Sequence, residues 1–413
     1  MSYPSTSDNA FKSDRQHPRS LELFTGAGGL ALGVAKAGFQ HVGVIEWDRD
    51  ACASLRANSE RIRLMAGWPV FEGDVRDYDF RCHKGSIALL AAGAPCQPFS
   101  LGGKHGGHTD NRNMFPQAFR AISEALPEAV LIENVKGLLR TSFRPYYDYI
   151  RSAISFPELT AHDGEDWTSH FQRLEHANTS RSFTGVRYKV TPQLVNAADY
   201  GVPQRRERVF LVALREDVAK TWRELSPTHS EDALLFAQWI EGSYWEEHSL
   251  RKPRLPARLA GRIEKLRKRE ELPTLQRWQT VRDALRGLPE PQDYIPHPRF
   301  VNHVGNPGAR SYTGHTGSPW DYPAKTLKAG DHGVPGGENM LLKDDGTVRY
   351  FTVREAARLQ TFPDKYVFSG AWSEGFRQLG NAVPVKLAFA FAERIRSSLG
   401  EQSSEAKAHV RVA

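Results

Sequence analysis

The stretch SLELFTGAGGLALGVAKAG, residues 20–38, decides the fold. SLELF (20–24) reads as a strand, and GGLALGVAKAG (28–38) as a helix ending at Gly38. Between them, Gly26, Gly28 and Ala31 satisfy G-x-G-x-x-G/A. Glycines in such a turn let the backbone approach a ligand at a helix N-terminus. The alternative reading is a tight strand–helix turn that binds nothing.

Working outward, the alternation repeats. HVGVIE (41–46), IALLAA (87–92), AVLIENV (129–135) and RVFLVAL (208–214) read as further strands. Met114, Ala118, Ile122 and Leu126 are spaced four apart, as on one face of a helix that Pro127 ends. The expected fold class is α/β: a Rossmann-like, mostly parallel mixed sheet with helices on both faces. After Arg215 the rhythm is lost. Residues 216–350 are rich in Trp, Pro, Arg, Gly and His, with a dense basic run at 250–273. This predicts a second, smaller and irregular domain over 216–374. Helical patterning returns in TVREAARLQ (352–360) and PVKLAFAFAERIRSSL (384–399). The catalytic domain is therefore expected over 19–215, completed by 375–399, with disordered tails at 1–18 and 400–413. Residues 151–185 form a polar insertion with no assigned role.

A chain of 413 residues, 40% hydrophobic and 25% charged, is globular in composition and long enough for about two or three domains. No apolar run reaches the roughly 18 residues that span a bilayer, and the polar N-terminus lacks a signal-peptide core. A cytoplasmic protein is expected. Its three cysteines, Cys52, Cys82 and Cys96, form no disulfide framework or zinc spacing, and no metal is expected. A net charge of +7 and a pI near 9.2 favour a polyanionic partner.

Glu46 ends the second strand 20 residues beyond Gly26, where a carboxylate can accept from ribose hydroxyls. Trp47 can stack on an adenine ring, and Asp74 can meet the adenine amino group. A nicotinamide dinucleotide and S-adenosylmethionine both suit this set. Cys96 lies in GAPCQPFS (93–100), just past a strand end, between Pro95 and Pro98. The prolines restrict the backbone, and the glycine-rich basic segment 100–112 has the composition of a lid. Cys96 is read as a nucleophile, while Cys52 and Cys82 are read as buried packing residues. Glu133 closes a parallel strand, so it should reach the same crevice; it reads either as a carboxyl held protonated by burial that donates a hydrogen bond, or as a helix-capping or ion-paired glutamate. Arg206 and Arg208 alternate along a strand and suit a phosphate or carbonyl oxygen. Asn381, in RQLGNAVP (377–384), reads either as a buried cofactor contact or as a helix cap.

Together these stretches resemble the DNA cytosine-5 methyltransferase family, of the bacterial restriction-modification type. LFTGAGG, APCQPFS, ENV, QRRER, RYFTVREAARLQTFPD and QLGNAVP match six of its blocks in order. Ala94, where many members carry proline, and Thr25 are small departures. The resemblance implies methyl transfer from S-adenosylmethionine to carbon 5 of a cytosine in a specific double-stranded DNA sequence. The base would be flipped out of the helix and attacked at carbon 6 by Cys96. Glu133 would act at ring nitrogen 3, Arg208 at the base carbonyl, and Arg206 in holding the site. Cofactor contacts are implied for Phe24, Gly26, Gly28, Leu30, Glu46, Trp47, Asp74, Val75, Pro95, Phe115 and Asn381. Phe115 stands where the family usually has leucine. The variable block between QRRER and TVREAARLQ corresponds to a target-recognition domain. DNA contacts are expected from Gln97, Ser100, Lys104 and Arg112 around the lid. In PAKTLKAGDHGVPGGEN (323–339) they are expected from Lys325, Thr326, Lys328 and Asn339. A monomer paired functionally with a restriction endonuclease is expected. Competing readings are a tRNA cytosine-5 methyltransferase, a nicotinamide-dependent oxidoreductase resting only on the glycine turn, and a catalytically silent DNA-binding relative.

Overall fold

The computed structural model describes residues 17–95, 113–180, 183–218, 222–269, 271–313, 316–329 and 339–410. β1 (Arg19–Leu23) leads through the glycine turn into α1 (Gly29–Lys36), then β2 (Gln40–Glu46), α2 (Arg49–Ser59) and β3 (Val70–Glu72). β4 (Leu89–Gly93), α3 (Phe115–Ala125) and β5 (Ala129–Val135) follow. Next come α4 (Arg144–Ser155), α5 (Trp167–Ser180), β6 (Tyr188–Asn196) and β7 (Glu207–Arg215). The sheet runs β3-β2-β1-β4-β5-β7-β6. Its first five strands are mutually parallel, and β7 is antiparallel to both β5 and β6. Strand order reverses between β1 and β4. In open sheets of this type, ligands bind outside the carboxyl ends of the strands at that point.

The apolar faces match the expected layers. Leu21 and Leu23 of β1 face one core with Leu90, Ile132, Ile122 and Ile150. On the other face, Ala91, Leu131 and Phe210 pack on Leu30 and Val34 of α1 and on the last helix, α12 (Val385–Val410). α1 and α12 touch closely because Gly33 has no side chain: a Cβ there would lie 2.4 Å from Ala388 Cβ. The C-terminal helix thus closes the sheet that the N-terminal motif opens. It continues past Leu399, where a disordered tail was expected, to Val410. The added residues, GEQSSEAKAHV (400–410), are mostly helix formers without Pro, and the single Gly400 does not stop the run. Of the expected N-terminal tail, residues 1–16 lie outside the described residues. Pro18 already joins the sheet edge, its carbonyl accepting from Gln40 N at 2.9 Å.

The insertion is helical at both ends. α4 and α5 bury Tyr149, Ile150 and Leu174 against the edge of the sheet, with Tyr188 of β6 in the same core. Asp166 begins α5 by accepting from the backbone of Thr168 (2.9 Å) and Ser169 (3.1 Å). The remaining elements are short: β8 (His229–Ser230), α6 (Glu231–Phe236), α7 (Ser243–Glu247), α8 (Ala257–Arg267), β9 (Gln276–Arg277) and α9 (Val281–Leu285). They are followed by β10 (Ser318–Pro319), β11 (Met340–Leu342), β12 (Val348–Tyr350), α10 (Val353–Leu359) and α11 (Trp372–Asn381).

The boundary expected at 374 is corrected. Phe351, Val353, Ala357, Phe362, Tyr366 and Leu379 share one core with Leu32, Val44 and Leu55 of the first domain. Tyr366 OH donates to Ala27 O at 2.5 Å, inside the glycine turn. Among the described residues, a separate core gathers around Leu234, Trp239, Trp245, Ile263 and Trp278. The irregular domain is therefore smaller than its loop-rich sequence suggests. Among the described residues, no helix is long and apolar enough to cross a membrane.

Candidate active site

The glycine turn is held in left-handed backbone conformations, with φ of 57° at Phe24, 54° at Gly26 and 75° at Gly28. Gly28 caps α1 and contributes no side-chain hydrogen bond. A Cβ at Gly28 would strike Leu55 Cδ2 at 2.8 Å, whereas one at Gly26 would meet nothing within 4 Å. Gly28 is thus a packing requirement, and Gly26 borders open space. Glu46 secures the turn. Its Oε2 accepts from Gly26 N at 2.6 Å, and its Oε1 from Trp47 N at 2.9 Å and Asp48 N at 2.8 Å. Burial pushes the Glu46 carboxyl up from its usual range, and the three N–H bonds oppose that shift. A carboxylate offers about four acceptor positions, so one remains for a ligand. Trp47 is 76% exposed beside it. Asp74 accepts from the backbone and guanidinium of Arg76, at 2.9 and 3.0 Å.

The other expected cofactor residues divide. Pro95 is half-buried at the carboxyl end of β4. Leu30, Val75 and Phe115 are buried in the cores, where they support the crevice by packing. Asn381 is exposed, the last residue of α11, which corrects both the buried-contact and the N-cap readings. The asparagine that the structure brings into the site is Asn134. Its Nδ2 donates to Ala94 O at 3.2 Å, anchoring the segment that leads to Cys96. The motif ENV carried that signal, but only its glutamate was singled out. Cys96 itself, with Gln97, Ser100, Lys104 and Arg112, lies outside the described residues.

Glu133 and Arg208 stand together near the ends of adjacent strands. Arg208 Nε donates to Glu133 Oε1 at 2.7 Å, both side chains nearly buried. Of the two readings of Glu133, the geometry is that of the ion-paired glutamate. Arg206 does not share that partner. It is 1% exposed, and its guanidinium donates to Leu327 O at 3.1 Å and Gly380 O at 2.7 Å. It is a clamp between the sheet and the C-terminal segments rather than a group presented to a substrate. Gln204 is a second such clamp, accepting from Leu327 N at 3.1 Å.

The recognition expectations also need correction. Asn339 is fully buried, bonded through both ends of its amide to Lys328 N (3.0 Å) and Lys328 O (2.9 Å). It shapes its loop and does not face a groove. Thr326 Oγ1 donates to Arg205 O at 2.7 Å, and Lys325 Nζ to Thr316 Oγ1 at 3.1 Å. Of the four, Lys328 has an exposed side chain. Glu247, His248 and Asp283 lie close enough to suggest a cation site. Arg277 already bridges both carboxylates, at 2.7 Å each.

This sheet order, with the glycine turn and the Pro95 strand end meeting at the reversal point, is that of a Rossmann-like methyltransferase. The chain belongs to the family of C-5 cytosine-specific DNA methylases, whose model matches residues 19–155 and 167–397. The unmatched gap falls within the polar insertion. The Type II methyltransferase M.Eco47II of Escherichia coli is 31% identical over 91% of this chain and 78% of its own length. M.NgoMIV of Neisseria gonorrhoeae is 31% identical over 93% of this chain and 99% of its own. Two solved structures share the fold at low identity. Spodoptera frugiperda DNMT2 has a TM-score of 0.54 at 14% identity, covering 92% of this chain and 99% of its own. Entamoeba histolytica methyltransferase EhMeth has a TM-score of 0.52 at 12% identity, covering 93% and 99%. The protein is a DNA cytosine-5 methyltransferase of the Type II restriction-modification kind.

Proposed function

We propose that this protein methylates carbon 5 of a cytosine flipped out of a specific double-stranded DNA sequence, using Cys96 as a covalent catalyst. Methylation of that sequence would protect DNA from a cognate restriction endonuclease. The observation that carries the reading is the adjacency of β1 and β4, paired through Leu23 and Ala92. The ends of these two strands bring the glycine turn and Pro95, the residue before Cys96, to one crevice, with the Glu133–Arg208 pair on the next strands.

The residues fit S-adenosylmethionine. Gly26 borders open space, the α1 N-terminus carries no side-chain cap, Glu46 keeps an acceptor position, and Trp47 offers an exposed ring. When bound, that cofactor supplies an electrophilic methyl group. Cytosine carbon 5 is too weak a nucleophile to accept it unaided. The Cys96 thiolate bonds to carbon 6, and the electrons of the 5,6 double bond become available at carbon 5. Glu133, having taken up a proton, donates it to ring nitrogen 3 and so limits negative charge on the base. Arg208 aligns Glu133 through Nε and has further N–H groups for the base carbonyl. After carbon 5 is methylated, a base removes its proton and the carbon 6–sulfur bond breaks, restoring the ring and the thiolate. Asn134 fixes Ala94, and thereby the approach to Cys96.

The test compares transfer of labelled methyl groups to duplex DNA and to tRNA, with bisulfite sequencing of DNA from expressing cells. Methylcytosine in one recurring duplex sequence is expected. Transfer to tRNA alone would overturn the reading.

A further inference from the structure

α8 is held to its domain by a narrow face. Ile263 and Leu266 are buried, and the other charged residues of the helix are exposed. At about 100° per residue, Arg258, Arg262 and Lys265 follow one stripe of α8 at spacings of four and three, and Arg269 lies just past the end of the helix. Two of these cations are fixed. Arg262 bonds Glu231 at 2.6 Å and Asp232 at 2.8 Å, and Arg269 bonds Asp232 at 2.6 Å. Arg258 and Lys265, between and beside them, have no carboxylate partner among the described residues. Arg251 and Arg254, in the segment entering the helix, are likewise exposed and unpaired.

The stripe is linked by side chains to the segment that enters β7. Glu231, which holds Arg262, also accepts a hydrogen bond from Tyr322 OH. The exposed Arg205 stacks over the Tyr322 ring at 5.0 Å, next to the Arg206 clamp. A line of cationic side chains thus runs from Arg205, just before β7, across Tyr322 to Arg262 and along α8. Its paired members keep the helix in place, and its unpaired members are open to solvent.

We propose that this stripe grips the phosphate backbone of duplex DNA flanking the target, independently of base sequence. The inference rests on the duplex-DNA reading above. Long flexible cations spaced along one helix face suit phosphates, whereas base reading needs fixed bidentate geometry. Each phosphate neutralised contributes about 0.9 to the slope of log affinity against log salt.

The test is the triple variant Arg254→Gln, Arg258→Gln, Lys265→Gln beside a charge-conserving control, Arg254→Lys, Arg258→Lys, Lys265→Arg. Binding is measured by fluorescence anisotropy, with long target duplexes and duplexes trimmed to the target, from 50 to 200 mM salt. If all three groups contact phosphate, the slope for long duplexes falls by about 2.7, and the wild type loses roughly 40-fold more affinity than the variant over that range. The control keeps the wild-type slope. The ratio of target to non-target affinity and the turnover at saturating DNA stay unchanged. An unchanged slope in the triple variant would overturn the proposal while leaving the methyltransferase reading intact. Failure of the wild type to bind duplex would sink that reading instead. An equal slope loss on trimmed duplexes would refute the flanking placement.

Discussion

Glu22 sits in the middle of β1, 1% exposed, on the face opposite Leu21 and Leu23. Neither carboxyl oxygen has a hydrogen-bond partner of normal geometry among the described residues, although the Ala31 N–H of α1 is near. Burial raises its pKa well above the ordinary 4.5, and the Ala31 N–H opposes this only in part. The unfolded chain ionises Glu22 above pH 4.5 while the folded chain keeps the proton. Folding therefore takes up a proton, and this group's contribution to stability falls as pH rises until the folded pKa is passed. The cost accrues at about 1.36 kcal/mol per pH unit. Glu22→Gln keeps the shape and removes the titration. Burying the amide carries its own penalty, but that penalty does not change with pH. As pH rises above 4.5, the variant should gain stability relative to wild type, by at most about 1.4 kcal/mol per pH unit while the folded carboxyl keeps its proton. Urea unfolding followed by tryptophan fluorescence across that pH range measures that change directly. Parallel stability curves for the two proteins would refute the buried neutral acid.

Other substitutions separate binding from architecture. Trp47→Ala should raise the S-adenosylmethionine KM about tenfold with kcat little changed, since base–aromatic stacking is worth about 1–3 kcal/mol; steady-state kinetics reads it. Arg206→Met removes two charge-assisted bonds to backbone carbonyls, at roughly 1.5 kcal/mol or more each. It should lower stability by about 3 kcal/mol in urea titrations. Gly33→Val forces a side chain into Ala388 and should cost at least about 1–3 kcal/mol, seen as a lower Tm.

Local signals were readable and distant ones were not. The β1–turn–α1 unit and Glu46 could be read because strand, glycines and carboxylate recur at fixed short spacing. Arg206 was read as holding the site, but what it holds was not readable, because its partners, Leu327 and Gly380, lie 121 and 174 residues away. Asn339 looked like a groove contact because nothing local indicates that its amide closes on Lys328. Glu133 and Arg208 were both singled out, but their pairing depends on β7 returning antiparallel beside β5, a register no local pattern encodes. β6 went unseen. It is an edge strand that carries Pro192 and lacks clean alternation. Glu22 carried an unread signal, an acid flanked by two leucines in a strand covered on both faces.

The covalent role of Cys96 is tested most directly with duplex DNA carrying 5-fluorocytosine, whose fluorine blocks removal of the carbon 5 substituent after methyl transfer. Incubated with S-adenosylmethionine, the wild-type protein should form a denaturation-resistant adduct, with the combined mass of protein, DNA strand and one methyl group. Peptide mapping should place the bond on Cys96. A protein that methylates the unmodified duplex yet yields no adduct, or an equal adduct with Cys96→Ser, would contradict the account.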